Sequence, residues 1–354
     1  VTVDGGPPTP QPAPIVEARA DPGQVARLAA LLGGHAVTQL VAAAARFGIP
    51  DLLAEDALPV ADVSARTGIP APVLSRYLPA LESLDIVRRG PDGAYRATPL
   101  GRLLRRDAGP LHGQALMAGD EYYGAWQELD HSLRTGESAF QARHGCGLWE
   151  MTARRPELAA AFARTMRWNS TRVLSDVLAL HDFTAARLVV DLGAGDATLL
   201  CGLLARHPGM RGLAVEQGSM AARAAATVVE AGLTRRCGVR TADIRRSVPG
   251  GGDVYLLNSV IHNWSDADAV GILRAVRDAM PAGSRLLLIE RARDDADPEA
   301  ALRDLTMLVL FGARDRTPEE YAALLTRAGL APAAPRRADS GVCLIPATAD
   351  AGTS

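Results

Sequence analysis

Apolar positions recur at helical spacing from Gln24 to about Ala179, and from Phe183 onward the rhythm changes to short apolar strands alternating with helices. In the first half, LAALLGGHAVTQLVAAAARFGIPDLL is apolar or small nearly all round, which predicts one long helix buried on more than one side. A helix of that kind so near one end of a chain needs a partner surface, so it predicts the seam of a homodimer. The following stretch, LPVADVSARTGIPAPVLSRYLPALESLDIVRRGPDGAYRATPLGRLL, reads as helices over 61–67 and 72–84 and a two-stranded ribbon over 86–89 and 94–98. That order is a winged helix-turn-helix.

In the second half LVVDLG, GLAVE, VRTAD, DVYLLNSV, SRLLLIE and GVCLIP are the strands. Their alternation with helices gives an α/β fold, a doubly wound, mostly parallel Rossmann-like sheet. The expected organisation is a disordered Pro/Gly-rich segment over 1–20, a helical winged-helix dimerisation and substrate-capping domain over 21–180, the sheet domain over 181–346 and a mobile tail over 347–354.

Composition narrows the chemistry. All 38 basic residues are Arg, which removes Schiff-base and lysine-base catalysis and leaves Arg for anions. The net charge of −2 and the ten Arg against seven acids of residues 27–106 are thin for a nucleic-acid reader. The winged helix therefore reads as structural, with a DNA-binding regulator as the rival from another class. Cys146, Cys201, Cys237 and Cys343 show no CxxC spacing, so no metal site or disulfide framework is expected and a reducing cytoplasm fits. No apolar run was expected to approach the roughly 18–20 residues that span a bilayer, so no membrane partner is expected.

The strand ends carry the informative residues. VVDLGAGDAT predicts a buried strand over 188–192, a tight turn through Gly193 and Gly195, and a helix starting near Thr198. Asp191 precedes that turn, Glu216 closes the second strand and Asp243 the third. Glu216 lies 21 residues after Gly195, the spacing at which a second-strand acid accepts from ribose hydroxyls. Asp243 is placed for an exocyclic amine such as that of adenine. NAD and S-adenosylmethionine both want such a site. The turn ends on Thr198 rather than the small residue of the dinucleotide fingerprint, and it fits the looser acid-x-Gly-x-Gly turn of S-adenosylmethionine sites.

VIHNWSDADAVGILRAVRDAMPAGSRLLLIE carries a His-x-Trp-x-Asp signature, and DLTMLVLFGARDRTPEEYAALLTRAGL follows it. On these stretches the chain resembles the class I S-adenosylmethionine-dependent O-methyltransferases of the plant phenylpropanoid type and their bacterial natural-product tailoring relatives, from about Ala26 to Pro346. The resemblance implies methyl transfer to a hydroxyl of an aromatic or polyketide-like small molecule in secondary metabolism, with S-adenosylhomocysteine as product. His262, an imidazole at a strand end, is the expected general base, and Glu290 and Asp315 are the acids expected to orient it. Asp315 stands where the family usually has Glu. By the same resemblance Trp264 lies near the adenine and Ser170 reaches the methionine carboxylate of the cofactor. Ile244 and Asn258 take the places of a usual Met and Lys there. Met166 and Met307 wall the acceptor, joined by Phe162, Trp168 and Phe311, with Asn169 where a His is usual. Ala197 replaces the third glycine of the turn, which predicts a methyl group near the cofactor. The rival within the fold keeps the cofactor but performs decarboxylation, hydroxylation or cyclisation.

Overall fold

The structure, a computed structural model, describes residues 21–294 and 297–349. The segment 1–20 and residues 350–354, both within the expected mobile ends, lie outside the described residues.

The apolar N-terminal stretch forms two helices, Pro22–Leu32 and Gly34–Arg46, interrupted at Gly33 where one helix had been expected. The second buries Ala42, Ala44 and Ala45, while the first buries nothing. Leu31 and Leu32 are each 70% exposed, so within one chain the stretch is covered on one side only. With Gly33 between them the two helices span 25 residues, Pro22–Arg46, with a window of mean hydropathy 1.6, which corrects the expectation that no run approaches bilayer length. Arg27, His35 and Gln39 interrupt the run, and Gln39 Nε2 donates to the carbonyl of Gly119 in the cap.

The winged helix forms within a residue of its predicted bounds: helices Val60–Thr67 and Ala71–Ser83, then β1 (Val87–Arg89) antiparallel to β2 (Tyr95–Ala97). Val63, Leu74, Leu78, Leu81, Val87 and Tyr95 close its core. Five short helices between His112 and Arg154 follow, and then a long helix, Pro156–Leu180. Of the aromatic and Met residues gathered here, Met117 and Phe140 are fully buried with Val309 and Leu310, so they fill a core rather than line a cleft. Ser138 Oγ donates to the Leu310 carbonyl at 3.0 Å, tying this cap to the helix Pro298–Phe311 of the sheet domain.

The sheet is built from β3 (Leu188–Leu192), β4 (Arg211–Glu216), β5 (Cys237–Thr241), β6 (Val254–Asn258), β7 (Arg285–Arg291), β8 (Leu330–Pro332), β9 (Arg336–Arg337) and β10 (Val342–Ala349). Its order is β5-β4-β3-β6-β7-β10-β8, with β9 beside β10, and β3 to β7 run parallel. Alternation across the pleat sorts the core: Val190, Leu286 and Leu288 face one helical layer, Val189, Leu287 and Ile289 the other. Burial on both faces explains why these strands read as unbroken apolar runs. The expected tail at 347 is corrected: β10 continues to Ala349, and Ala347 is 1% exposed between Leu286 of β7 and Pro332 of β8. Its small, weakly apolar residues give no strand signal in the sequence.

The chain proceeds from β3 outward to β5 and then returns to place β6 on the other side of β3. The carboxyl ends of β3 and β6 therefore flank a topological switch point, where doubly wound sheets hold their ligands.

Candidate active site

After β3 the chain turns through Gly193, Gly195 and Ala197, with φ of 70°, 58° and 62°. A Cβ on Gly193 would stand 2.8 Å from Val260 Cγ2, so only glycine fits there. A Cβ on Gly195 would meet nothing within 4 Å, which marks open space in front of the turn. The Ala197 methyl is fully buried in the helical layer with Leu199 and Leu200. Its cost is left-handed backbone, about 1–2 kcal/mol. Asp196 stands just before the next helix, its Oδ1 accepting from Thr198 N at 3.1 Å, and its Oδ2 accepts from Arg167 Nε at 2.9 Å. Arg167 thus ties the long helix to the glycine turn.

The predicted acids gather around this turn. Glu216, the last residue of β4, accepts from Gly195 N at 2.9 Å and Gln217 N at 2.7 Å. Burial raises its pKa, and those two donors pull against the rise. Asp191 is 1% exposed, and burial, followed by the Glu216 charge, pushes its pKa up to about 7. Its Oδ1 and the Oδ1 of Asn258 at the end of β6 are buried without a partner. Buried polar atoms are nearly always bonded, so these orphaned acceptors at neighbouring strand ends fit a ligand rich in hydroxyl and amino donors. Asp243 stands two residues beyond β5 rather than on it, bound by Arg245 through Nε (3.0 Å) and Nη2 (2.7 Å). The same guanidinium lies 5.0 Å from the Trp264 ring centroid, joining those two predicted residues. Ile244 beside them is buried.

His262 sits in a 3-10 turn, Ile261–Asn263, just beyond β6. Its Nδ1 is 3.1 Å from Glu290 Oε2 and 3.8 Å from Asp315 Oδ1. With Nδ1 facing two acids, the proton of the neutral ring belongs there, and Nε2 has no hydrogen-bond partner among the described residues. Glu290 lies near the end of β7, on the same face as Leu286 and Leu288, and its Oε1 accepts from Val260 N (3.1 Å) and Ile261 N (2.8 Å). Asp315, in the loop after the Pro298–Phe311 helix, is held by Arg303 Nε at 2.8 Å and donates its own amide to Asp304 at 2.8 Å. The shorter side chain therefore reaches the imidazole, at a longer range than Glu290. Burial disfavours the imidazolium, but the adjacent Glu290 carboxylate and, behind it, the Asp315 charge outweigh that, raising the His262 pKa above 6.5. The Asp315 pKa is raised by burial against the pull of His262 and Arg303.

On the acceptor side, Met166, Trp168, Asn169 and Ser170 share the long helix. Asn169 is exposed, and Arg172 lies 4.8 Å from the Trp168 ring centroid. Met307 is 8% exposed on the Pro298–Phe311 helix. Phe311, at the end of that helix, is partly buried and packs against the cluster of Met117 and Phe140. Phe162 is on the long helix, and its side chain lies outside the described residues. A cleft of about 600 Å³ at the opposite, amino edge of the strands, lined by Arg187, Arg211, Arg235 and Asp253, holds none of the predicted residues. Arg167, Arg245, Arg303 and the buried Arg316 carry no local sequence signal: among 38 arginines nothing but position in the fold separates these from solvated ones.

Fold and site together define a Rossmann-like S-adenosylmethionine-dependent methyltransferase. The chain belongs to the O-methyltransferase family: its O-methyltransferase domain matches over residues 126–331 and its O-methyltransferase dimerisation domain over 29–107. It is 36% identical to O-demethylpuromycin-O-methyltransferase of Streptomyces alboniger, over 92% of each chain. It is 32% identical to the aclacinomycin 10-hydroxylase of Streptomyces purpurascens, over 87% of this chain and 85% of that one. Among solved structures, the O-methyltransferase of neocarzinostatin biosynthesis, crystallised with S-adenosylmethionine and 2-hydroxy-5-methyl naphthoic acid, superposes with a TM-score of 0.78 at 31% identity, covering 89% of this chain and 96% of that one.

Proposed function

We propose that this protein transfers the methyl group of S-adenosylmethionine to a hydroxyl of an aromatic or polyketide-like small molecule, with His262 removing the hydroxyl proton. The observation that carries the reading is the imidazole at the switch point, its Nδ1 3.1 Å from Glu290 and its Nε2 unpartnered among the described residues.

The donor supplies an electrophilic methyl group on a positively charged sulfur. Glu216 and Asp191 would hold its ribose and amino-acid portions and Asp243 its adenine amine, while Gly193 and Gly195 let the backbone approach. Ser170, Ile244, Asn258 and Trp264 would complete that site, and Met166, Trp168, Asn169 and Met307 the acceptor wall. His262 takes the acceptor proton on Nε2, and the Glu290 and Asp315 carboxylates stabilise the imidazolium that results. A relative named as a hydroxylase shows that this fold also carries other chemistry. A base held by two carboxylates supports deprotonation of a hydroxyl.

Incubation with S-adenosylmethionine and a panel of phenolic polyketides will give products heavier by one CH2, read by mass spectrometry. Products heavier by one oxygen, or lighter by CO2, would replace this reading with its rival. The exposed face of Val25, Leu28, Leu31 and Leu32, within and beside the matched dimerisation domain, supports a homodimer. Light scattering should then give twice 37.2 kDa. Leu31→Glu with Leu32→Glu will shift the mass to that of one chain, and a wild-type monomer would refute the dimer.

A further inference from the structure

The third residue of the His-x-Trp-x-Asp signature, Asp266, has no part in the chemistry above. It opens the helix Asp266–Ala279, and its Oδ1 accepts from Arg316 Nε at 3.0 Å and Nη2 at 2.7 Å. Arg316 is 1% exposed, the largest side chain among those fully buried. Two of its three remaining N–H groups go to backbone carbonyls: Nη1 reaches Ile261 O at 3.2 Å and Nη2 reaches Trp264 O at 2.8 Å. These carbonyls straddle His262.

A three-residue 3-10 turn has poor hydrogen-bond geometry of its own, so its shape must be imposed from outside. Glu290 Oε1 already takes the amides of Val260 and Ile261 at the front of the turn. Arg316 takes the carbonyls at the back. The turn is therefore gripped at both ends, and the imidazole between the grips points where both dictate. Burying a guanidinium is costly unless it is paired and fully bonded, and Asp266 supplies the charge that permits it. We propose that Arg316 and Asp266 form a clasp that positions His262 for proton removal, so that the acid of the signature serves the base at one remove. This rests on the proposed role of His262. Arg316 is a positioning residue and touches no reacting atom.

Two measurements test the clasp. Hydrogen exchange of peptides spanning residues 259–264, with S-adenosylhomocysteine bound, will accelerate about 10-fold or more in Arg316→Met and measurably in Asp266→Asn, while the Gly193 turn keeps its wild-type rate. Unchanged exchange at 259–264 would overturn the proposal. In turnover, Arg316→Met will lower kcat about 30-fold with acceptor KM and S-adenosylhomocysteine affinity within about threefold, and in a His262→Ala background the same substitution will change the residual rate less than about threefold. An equal loss in both backgrounds would show a merely structural role and overturn positioning. Asp266 is 40% exposed, so Asp266→Asn carries both arms if Arg316→Met fails to fold. If exchange responds as expected while the wild type methylates no acceptor, the clasp stands and the role given to His262 falls.

Discussion

His262→Ala will lower turnover by about 10²–10⁴-fold, the range a positioned general base contributes, while the affinity for S-adenosylhomocysteine changes less than a few-fold. The separation follows from the geometry: the imidazole faces Glu290 and Asp315, whereas the proposed cofactor acceptors are Asp191 and Glu216 beside the glycine turn and Asn258 at the end of β6. Isothermal titration beside steady-state kinetics reads both quantities, and loss of affinity with intact turnover would contradict the assignment. The pH dependence has a definite sign. In the proposed role His262 acts as neutral imidazole, so activity will fall as pH drops through a His262 pKa that lies above 6.5. Glu290→Gln removes the largest raising influence and will move that limb to lower pH. For stability the sense is opposite: the favourable contribution is fully present below the unfolded value of 6.5 and is lost as pH rises through the raised folded value.

Glu216→Ala will weaken S-adenosylhomocysteine binding by about 10- to 150-fold. One carboxylate both pins the turn through Gly195 N and is the proposed acceptor for the ribose hydroxyls, and a hydrogen bond to a charged group contributes about 1.5–3 kcal/mol. The same substitution removes the charge that adds to the rise of the Asp191 pKa, which will fall below about 7. Acceptor KM at saturating cofactor should hardly move. An unchanged affinity would mean that the ligand does not use the end of β4.

Much of this architecture is legible in the sequence because apolar periodicity reports burial directly. Strand β3 falls on Leu188–Leu192 as expected, and the winged helix lies within a residue of its predicted bounds. His262, Glu290 and Asp315, separated along the chain, do converge. The break at Gly33 is less visible, because apolar residues on both sides keep the helical rhythm. Arg316 is invisible for a different reason: its burial depends on Asp266, Ile261 and Trp264, some 50 residues earlier, and no local pattern encodes such a partnership.

Strand β10 lies in the interior of the sheet, with β7 on one side and β8 and β9 on the other. A ribosome makes it after the other described strands of the sheet. The catalytic half must therefore wait, with an open seam along β7, until residues 342–349 have emerged, and nascent chains stalled short of them will be the ones that chaperones retain.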